Sequence, residues 1–351
     1  MKYLYIHAGL PKTGSSALQV FFSQNVNNLR SCGIEYFELE NLSIAEAGGI
    51  TSGNGALLSR WFLPQTHPEH YSDGHPIYEN LLQLTKNCNC DIGLVSSEFF
   101  SNIPLERIKQ IKDDFSALGV TVKFIYYVRR QDQYLVSAYL QQVKRHGCTS
   151  TVTEYVKQSY KNIHFLNYYS YTRDLEELLG ISNVAPYIYE ETKYYPHGLA
   201  GHFIKSIAGI CPDWITKIPV VNTSPSISEI KMILLANRFK PRFEFSDMLI
   251  EDSVLCTRSQ AYKQHSIVSN EIAFEILEYF RDENKNFEDS YCSGSRFPDY
   301  TPVTHASLDE YNFNADEVMD IISGFLVRYD IRLSELETLI RKMRVNIGHL
   351  E

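Results

Sequence analysis

Residues 7–19 of this 351-residue chain read HAGLPKTGSSALQ, and this stretch predicts how the fold begins. It follows an apolar segment with the composition of a buried strand, and it leads into a helical pattern that begins at Ser15 or Ser16. A glycine-containing turn between a strand and a helix presents backbone N–H groups at the positive end of the helix dipole. The stretch therefore predicts an anion site, most simply for phosphate, between the first strand and the first helix.

The position of the lysine in this turn indicates which kind of phosphate it binds. Gly9 and Gly14 have the spacing of the glycines in the G-x-x-x-x-G-K-S/T phosphate loop, but Ser15 stands where that loop has its lysine. The only lysine here is Lys12, inside the turn. A lysine after the second glycine reaches the β- and γ-phosphates beside magnesium, whereas Lys12 can lie beside the first phosphate. This favours a nucleotide with its reactive group on the 5'-phosphate; a solvated lysine in an ordinary connection is the alternative.

Apolar runs rich in Val, Ile and Tyr predict buried parallel strands. These are Lys2–His7, Ile92–Ser96, Val120–Val128 and, as a fourth candidate, Val184–Tyr189. One helical pattern follows the first strand and ends near Gly33; another runs from about Asp132 to Arg145 after the third strand. Alternating strands and helices predict an α/β fold, in three layers around a mostly parallel sheet.

The rest of the chain is predicted to belong to the same single domain, residues 1–351. Residues 41–80 contain five glycines, three prolines and three histidines, which predicts an irregular lid or binding excursion. Residues 198–351 are predicted to be mainly helical, with helices near 226–239, 268–285 and 315–345. Ser226 or Ser228 can cap the first of these helices, and the apolar stripe of the last, including Leu333 and Leu336, is expected to face the core.

The composition restricts the partners of the protein. A net charge of −9 and a pI near 5.7 disfavour nucleic acid and anionic membranes, so a phosphate site must be local. The seven cysteines do not form a disulfide framework, and Cys88-Asn89-Cys90 has no second pair at zinc-site spacing. No signal peptide and no run of about 18 apolar residues is found. These features predict a cytoplasmic protein without a membrane span.

A second candidate phosphate site follows the third strand. That strand ends at Arg129, a helix begins at Asp132, and Ser137 lies inside this helix, eight residues after Arg129. Arg129 offers two parallel donors to a phosphate dianion, and Ser137 adds a hydroxyl donor. The adjacent Arg130 is expected to point the other way. The alternative is an arginine that pairs with Asp132 at an ordinary strand–helix junction.

These segments resemble sulfotransferases that use 3'-phosphoadenosine 5'-phosphosulfate (PAPS). Residues 11–16 resemble the family's 5'-phosphosulfate loop, P-K-S/T-G-T/S-T/S, and the pair Arg129 and Ser137 resembles its 3'-phosphate motif. The resemblance implies a P-loop-type fold and PAPS as co-substrate. The residues that it implies bind PAPS are Pro11, Lys12, Thr13, Gly14, Ser15, Ser16, Arg129 and Ser137. Lys12 would also stabilise the leaving group.

Glu98 is the candidate general base. It directly follows the second predicted strand, and ligands bind at the carboxyl edge of a parallel sheet. The family has a catalytic His or Glu at this point, and the flanking Phe99 and Phe100 would raise the pKa of the carboxyl group. The alternative for Glu98 is a glutamate in the first turn of a helix. His7, at the end of the first strand, is the rival base.

The resemblance implies transfer of a sulfuryl group to an acceptor hydroxyl, without a metal ion. Glu98 would deprotonate the acceptor while Lys12 neutralises the departing 5'-phosphate. Bacterial members that act on carbohydrates make a glycan the first expectation for the acceptor, with other hydroxyl compounds open. Two other classes of protein remain as alternatives. One is a P-loop kinase or NTPase, which Ser15 in place of lysine disfavours, and the other is a non-catalytic module that binds a nucleotide or a glycan.

Overall fold

The computed structural model shows an α/β fold built on a five-stranded parallel sheet. It describes residues 1–10, 12–40, 42–49, 51–215, 225–241, 243–255, 267–302, 307–312 and 315–348. The strands are β1 (Tyr3–Ala8), β2 (Ile34–Tyr36), β3 (Ile92–Ser97), β4 (Thr121–Val128) and β5 (Val184–Ile188). Their order is β2-β3-β1-β4-β5, and every neighbouring pair is parallel. The four predicted strands are thus confirmed within one residue at their ends, and β2 is an addition to them.

Helices account for most of the remaining regular structure. In chain order they are α1 (Ser15–Gln24), α2 (Val26–Ser31), α3 (Ser43–Glu46), α4 (Ala56–Phe62), α5 (His75–Asn87), α6 (Leu105–Ser116), α7 (Gln131–Arg145), α8 (Val152–Ser159), α9 (Tyr168–Leu179), α10 (Gly198–Ala208), α11 (Ile227–Phe239), α12 (Phe243–Leu255), α13 (Asn270–Tyr279), α14 (Arg281–Tyr291) and α15 (Ala315–Gly348). Short 3-10 helices cover Glu98–Asn102, His164–Leu166, Ile181–Asn183 and Tyr189–Tyr194. No helix within the described ranges has the length and apolar character needed to cross a membrane.

Both faces of the sheet are covered, as β4 illustrates. Alternate side chains of a strand point to opposite faces. Ile125 and Tyr127 belong to a buried cluster that includes residues of α1 and α10, such as Phe22 and Phe203. On the other face, the hydroxyl groups of Tyr126 and of Thr172 in α9 are 2.7 Å apart. The sheet therefore forms the middle of three layers, as predicted.

The described chain divides into two compact units. The first comprises Met1–Tyr134, Tyr160–Val221 and Ile276–Tyr300, and it contains the whole sheet. The second comprises Leu135–Ser159, Asn222–Glu275 and Thr301–Glu351. Within the second unit, Ser226 caps α11 in a reciprocal capping box with Glu229, which confirms one of the two predicted caps. Whether the chain is a single domain stays a prediction.

Three predicted regions differ in detail from the structure. The stretch 41–80 is less irregular than expected, because α3, α4 and the start of α5 lie in it. The helices predicted up to Gly33 and over 268–285 are each divided into two, at Asn25 and at Phe280. The helix predicted near 315–345 is present as α15, but the prediction that its apolar stripe faces the core is wrong for Leu333 and Leu336, which are 45% and 53% exposed.

Candidate functional site

The carboxyl ends of three neighbouring strands form the candidate site. In β1 and β3, Ala8 pairs with Ser97, and in β1 and β4, His7 pairs with Ile125. The turn of residues 9–14 follows β1, Glu98 follows β3 and Arg129 follows β4. The parallel register therefore brings the predicted turn, the predicted base and the predicted arginine to the same edge of the sheet, as expected for a ligand site.

The turn has an unusual backbone conformation. Lys12 and Gly14 both have positive φ angles, of 71° and 79°. A side chain at Gly14 would also collide with its surroundings, because a Cβ atom there would lie 2.5 Å from Cδ2 of Leu199. Positive φ is unfavourable for lysine, and such strain is characteristic of ligand-binding segments. Pro11, which was predicted to take part in binding, lies outside the described residues.

Local hydrogen bonds hold this turn in place. The N–H group of Gly9 donates to the carbonyl oxygen of Ser97 at 3.0 Å, which attaches the turn to the end of β3. The hydroxyl group of Thr13 donates to the carbonyl oxygen of Leu10 at 2.7 Å. A threonine hydroxyl has a single proton to donate. In this conformation the hydroxyl proton of Thr13 is therefore not available to a ligand.

The N-terminus of α1 is suited to an anion. The described residues provide no side-chain cap for it, and its first turn has no acidic residue. The first N–H groups of a helix have no intrahelical acceptor, and the helix dipole makes this end positive. Ser15 is buried at this end and Ser16 is half-buried. Together with Lys12, this arrangement can bind a phosphate or sulfate group.

Arg129 contacts the turn itself. Its Nη1 donates to the carbonyl oxygen of Lys12 at 3.4 Å, and its Nε donates to Oε1 of Gln133 at 3.0 Å. The Nε atom is also 3.5 Å from Oε1 of Glu190. The Arg129 side chain is 28% exposed, so part of the guanidinium group is accessible to a ligand. The guanidinium group thus bridges the turn of residues 9–14 and the end of β5.

Arg130 has a different role from Arg129. Its Nε and Nη2 donate to the two carboxylate oxygens of Asp132 at 2.7 and 2.9 Å, and its Nη1 donates to the carbonyl oxygen of Pro298 at 2.6 Å. An arginine thus does pair with Asp132, but this arginine is Arg130 and not Arg129. Ser137 is half-buried in α7 and belongs to the second unit; its joint role with Arg129 stays a prediction.

Glu98 begins the 3-10 helix that follows β3. Burial raises the pKa of its carboxyl group, the charge of Lys12 lowers it, and the charge of Glu69 raises it. The hydroxyl group of Ser97 accepts a hydrogen bond from the N–H of Phe99 and so caps this short helix. Glu98 is therefore a first-turn residue and also a partly buried carboxyl group within electrostatic reach of Lys12. The first-turn position is the one that the alternative describes, whereas the raised pKa and the nearness of Lys12 fit a general base at the site.

His7 has the surroundings of a structural histidine. Its side chain is fully buried, and burial lowers its pKa to about 3. Its Nδ1 lies 2.8 Å from the hydroxyl oxygen of Ser96, and its Nε2 has no hydrogen-bond partner among the described residues. The rings of Phe203 and Phe22 pack edge-on against the imidazole, at centroid distances of 5.2 and 6.4 Å. The ring is thus neutral at ordinary pH and inaccessible to an acceptor in this conformation.

Two residues at the end of β5 were missed by the sequence analysis. Tyr189 lies below the guanidinium group of Arg129, with 5.9 Å between its ring centroid and Cζ. Glu190 is buried, and burial raises the pKa of its carboxyl group, against the opposing charge of Arg129. Neither of its carboxylate oxygens accepts a hydrogen bond from a described residue. The fourth predicted strand could have pointed to them. If that strand is assumed to pair with β4, the residues at its end come to lie beside Arg129.

A cavity of about 430 Å³ lies next to α4. Its lining combines aromatic, apolar and polar residues: Trp61, Phe62, Leu63, Pro64, Gln65, His70, Ser72, Pro104, Glu106 and Arg107. Glu69, next to His70 in the chain, pairs with Arg60 at 3.2 Å, and Arg60 lies over the ring of Phe99. Contacts between α4 and the segment that begins at Glu98 therefore link this cavity to the candidate base.

Comparisons with known proteins indicate only distant similarity. No family model and no curated protein matches the chain. A sulfotransferase from Alicyclobacillus acidocaldarius is similar in structure at 14% identity, covering 68% of this chain and 93% of its own, with a TM-score of 0.37. A structure of the PezAT toxin–antitoxin system of Streptococcus pneumoniae matches at 11% identity, with coverages of 68% and 84% and a TM-score of 0.31. Such distant likenesses do not establish an activity. The fold and the site define an α/β protein with a candidate anion site at the carboxyl edge of its sheet.

Proposed function

We propose that the protein is a sulfotransferase that uses PAPS as donor. The observation that carries this proposal is the pair of basic residues at the N-terminus of α1. Lys12 lies inside the turn, and Arg129 donates to the carbonyl oxygen of Lys12 at 3.4 Å. A donor with a 5'-phosphosulfate and a 3'-phosphate carries two anionic groups, and each basic residue is assigned to one of them. The N–H groups of the turn complete the site for the 5'-phosphosulfate.

In this proposal Lys12 and the N-terminus of α1 act on the leaving group. An acceptor oxygen forms a bond to sulfur while the bond between sulfur and the bridging oxygen of the 5'-phosphate breaks. Negative charge then develops on the phosphate, where the ammonium group of Lys12 and the N–H groups of the turn stabilise it. The products are a sulfate ester and adenosine 3',5'-bisphosphate. No metal is needed, because a sulfuryl group carries less charge than a phosphoryl group.

Glu98 is proposed to take the proton from the acceptor hydroxyl. A carboxyl group with a raised pKa is a better proton acceptor than an ordinary glutamate. The charge of Lys12 lowers the pKa of Glu98, so this pKa is raised less than burial alone would raise it. The enclosed, neutral ring of His7 supports Glu98 over His7 as the base. We assign to His7 the positioning of Ser96, whose hydroxyl it contacts at the end of β3.

The acceptor is proposed to be a glycan hydroxyl. The cavity beside α4 has a half-buried Trp61 and polar side chains such as His70, Ser72 and Arg107 in its lining. An aromatic face with polar groups at its border can bind a sugar ring through its apolar face and its hydroxyl groups. The link through Glu69 to Glu98 supports this side of the site as the acceptor side.

A transfer assay with sulfur-labelled PAPS tests the proposal. The full chain is incubated with labelled donor and a panel of oligosaccharides, simple alcohols and tyrosine peptides. Transfer of label to an acceptor would support the proposal, and dependence on Glu98 would support the assigned base. Hydrolysis or transfer from ATP with magnesium, without transfer from PAPS, would show a P-loop kinase or NTPase instead. Binding of the bisphosphate without any transfer would indicate a non-catalytic module.

A further inference from the structure

Two cysteines and a glutamate meet at the amino edge of the sheet, opposite to the phosphate turn. One ligand atom from each of Glu35, Cys88 and Cys90 lies within 4.8 Å of the other two. The Sγ atom of Cys90 is 4.0 Å from Oε2 of Glu35, and all three residues are partly exposed. We propose that Glu35, Cys88 and Cys90 form a binding site for a zinc-class divalent cation, one that prefers thiolate ligands.

The pairing of β2 with β3 creates this cluster. Glu35 lies in β2, opposite Gly93 of β3. Cys88 directly follows α5, and Cys90 stands two residues before β3 begins at Ile92. The N–H group of Ile92 donates to the carbonyl oxygen of Gly33 at 3.1 Å, which fixes the Cys88–Cys90 turn beside β2. The third ligand, Glu35, is therefore more than 50 residues from the two cysteines in the sequence, which is why the spacing of the cysteines alone did not reveal the site.

The ligand types select the cation. Two thiolates and a carboxylate favour a borderline-soft ion such as zinc over magnesium or calcium, which prefer oxygen ligands. In a tetrahedral site with bonds of about 2.0–2.3 Å, ligand atoms lie roughly 3.3–3.8 Å apart. Cys90 Sγ and Glu35 Oε2 are 4.0 Å apart and all three ligand atoms lie within 4.8 Å of one another, so side-chain rotations that move them by about 1 Å or less would bring them onto one ion. Water can provide the fourth ligand.

Arg30 holds the carboxylate of Glu35 in a fixed orientation. Its Nε donates to Oε2 of Glu35 at 2.9 Å and its Nη2 donates to Oε1 at 2.7 Å. This fork fixes the orientation of the carboxylate, as hydrogen-bonding partners of metal ligands commonly do. Oε2 still faces Cys90 and has a further lone pair for a cation. The positive charge of Arg30 also compensates part of the negative charge of two thiolates and a carboxylate.

The position of the cluster predicts a structural effect. In a parallel sheet, the amino edge is the edge opposite to the one that binds the proposed donor. A cation here would connect β2, an edge strand of three residues, to the turn before β3. Binding should therefore raise the melting temperature without being required for donor binding, and the proposal is independent of the proposed sulfotransferase activity.

Cobalt and zinc titrations of the full chain, reduced with a thiol-free reductant and freed of metal, test this site. We expect one zinc ion per chain in competition with a chromophoric chelator, and thiolate-to-cobalt charge-transfer absorption with Co²⁺. Cys88→Ser and Cys90→Ser should each remove most of that absorption and should each weaken zinc binding by about tenfold to 100-fold or more. Magnesium and calcium in excess should not displace the ion.

Cys292→Ser is the matched control, because Cys292 is also partly buried and unpaired by any disulfide. This variant should keep both the absorption and the zinc affinity of the natural sequence. Glu35→Gln leaves both cysteines in place and should weaken zinc binding about tenfold or more, which keeps the test available if a cysteine variant fails to fold. Absence of a thiolate–cobalt band, or an unchanged band in both Cys88→Ser and Cys90→Ser, would overturn the proposal.

Discussion

Replacing Arg129 by alanine tests the assignment of the 3'-phosphate site most directly. The natural protein should bind adenosine 3',5'-bisphosphate more tightly than AMP, without magnesium, and Arg129→Ala should remove most of this preference. The guanidinium group already donates to Lys12 and Gln133, and its Nε lies 3.5 Å from Glu190, so it is held in place before a ligand arrives. Little further side-chain ordering is then needed when phosphate binds.

The size of the effect follows from these contacts. A hydrogen bond to a charged group contributes about 1.5–3 kcal/mol. Two donors to one dianion would contribute more, but the Arg129 side chain is 28% exposed and must share its charge with Glu190. We therefore expect a loss of about 2–3 kcal/mol, which corresponds to roughly 30- to 140-fold weaker binding of the bisphosphate.

Isothermal titration calorimetry with the bisphosphate and with AMP measures this difference. Arg129→Ala should leave AMP affinity nearly unchanged, because AMP has no 3'-phosphate. Arg107→Ala is a suitable control, since Arg107 lies in α6 and donates to Gln110 rather than to the turn. Equal affinity of the natural protein for AMP and the bisphosphate would refute the assignment, and so would a parallel loss of both ligands in Arg129→Ala.

Four further variants examine the turn, the base and the buried histidine. Lys12→Ala should weaken both bisphosphate binding and sulfuryl transfer, whereas Glu98→Gln should keep bisphosphate affinity and lower turnover roughly 10²- to 10⁴-fold; normal turnover in Glu98→Gln would exclude it as the base. The pKa of His7 is lowered to about 3 by burial, so its unfolded form binds a proton more readily. The free energy of unfolding should consequently fall as the pH drops from about 6.5 towards 3, by up to about 1.4 kcal/mol per pH unit. Urea unfolding curves at pH 7, 5 and 4 measure this fall, which should be smaller in His7→Asn. Gly14→Ala should lower the melting temperature, because φ is 79° there and Leu199 occupies the space, and an unchanged melting temperature would contradict this account of the turn.

Local sequence patterns predicted the core of the fold and one half of the site. The strand, turn and helix around Lys12 form one continuous segment, and its glycines and hydroxyl residues determine its conformation locally. The same holds for Arg129 at the end of β4. By contrast, β2 was missed because a strand of three residues is too short to show an alternating pattern.

Contacts between distant segments account for what the sequence did not show. Glu190 reaches Arg129 only because β5 pairs with β4, and the sequence does not state the strand order. The enclosure of His7 depends on Phe203, which comes from a helix almost 200 residues later in the chain. The exposure of Leu336 could not be predicted either, because an apolar stripe indicates a face that can be buried, not whether a partner covers it.

The left-handed backbone of Lys12 implies a competition between stability and activity. A residue other than glycine at a φ of 71° costs on the order of 1–2 kcal/mol, and in the proposed function this cost accompanies the ammonium group that stabilises the leaving phosphate. Lys12→Ala and Lys12→Gly both remove that ammonium group, but only the glycine variant releases the backbone. The two variants should therefore be equally poor at transfer, while Lys12→Gly melts at the higher temperature despite the greater freedom of its unfolded chain.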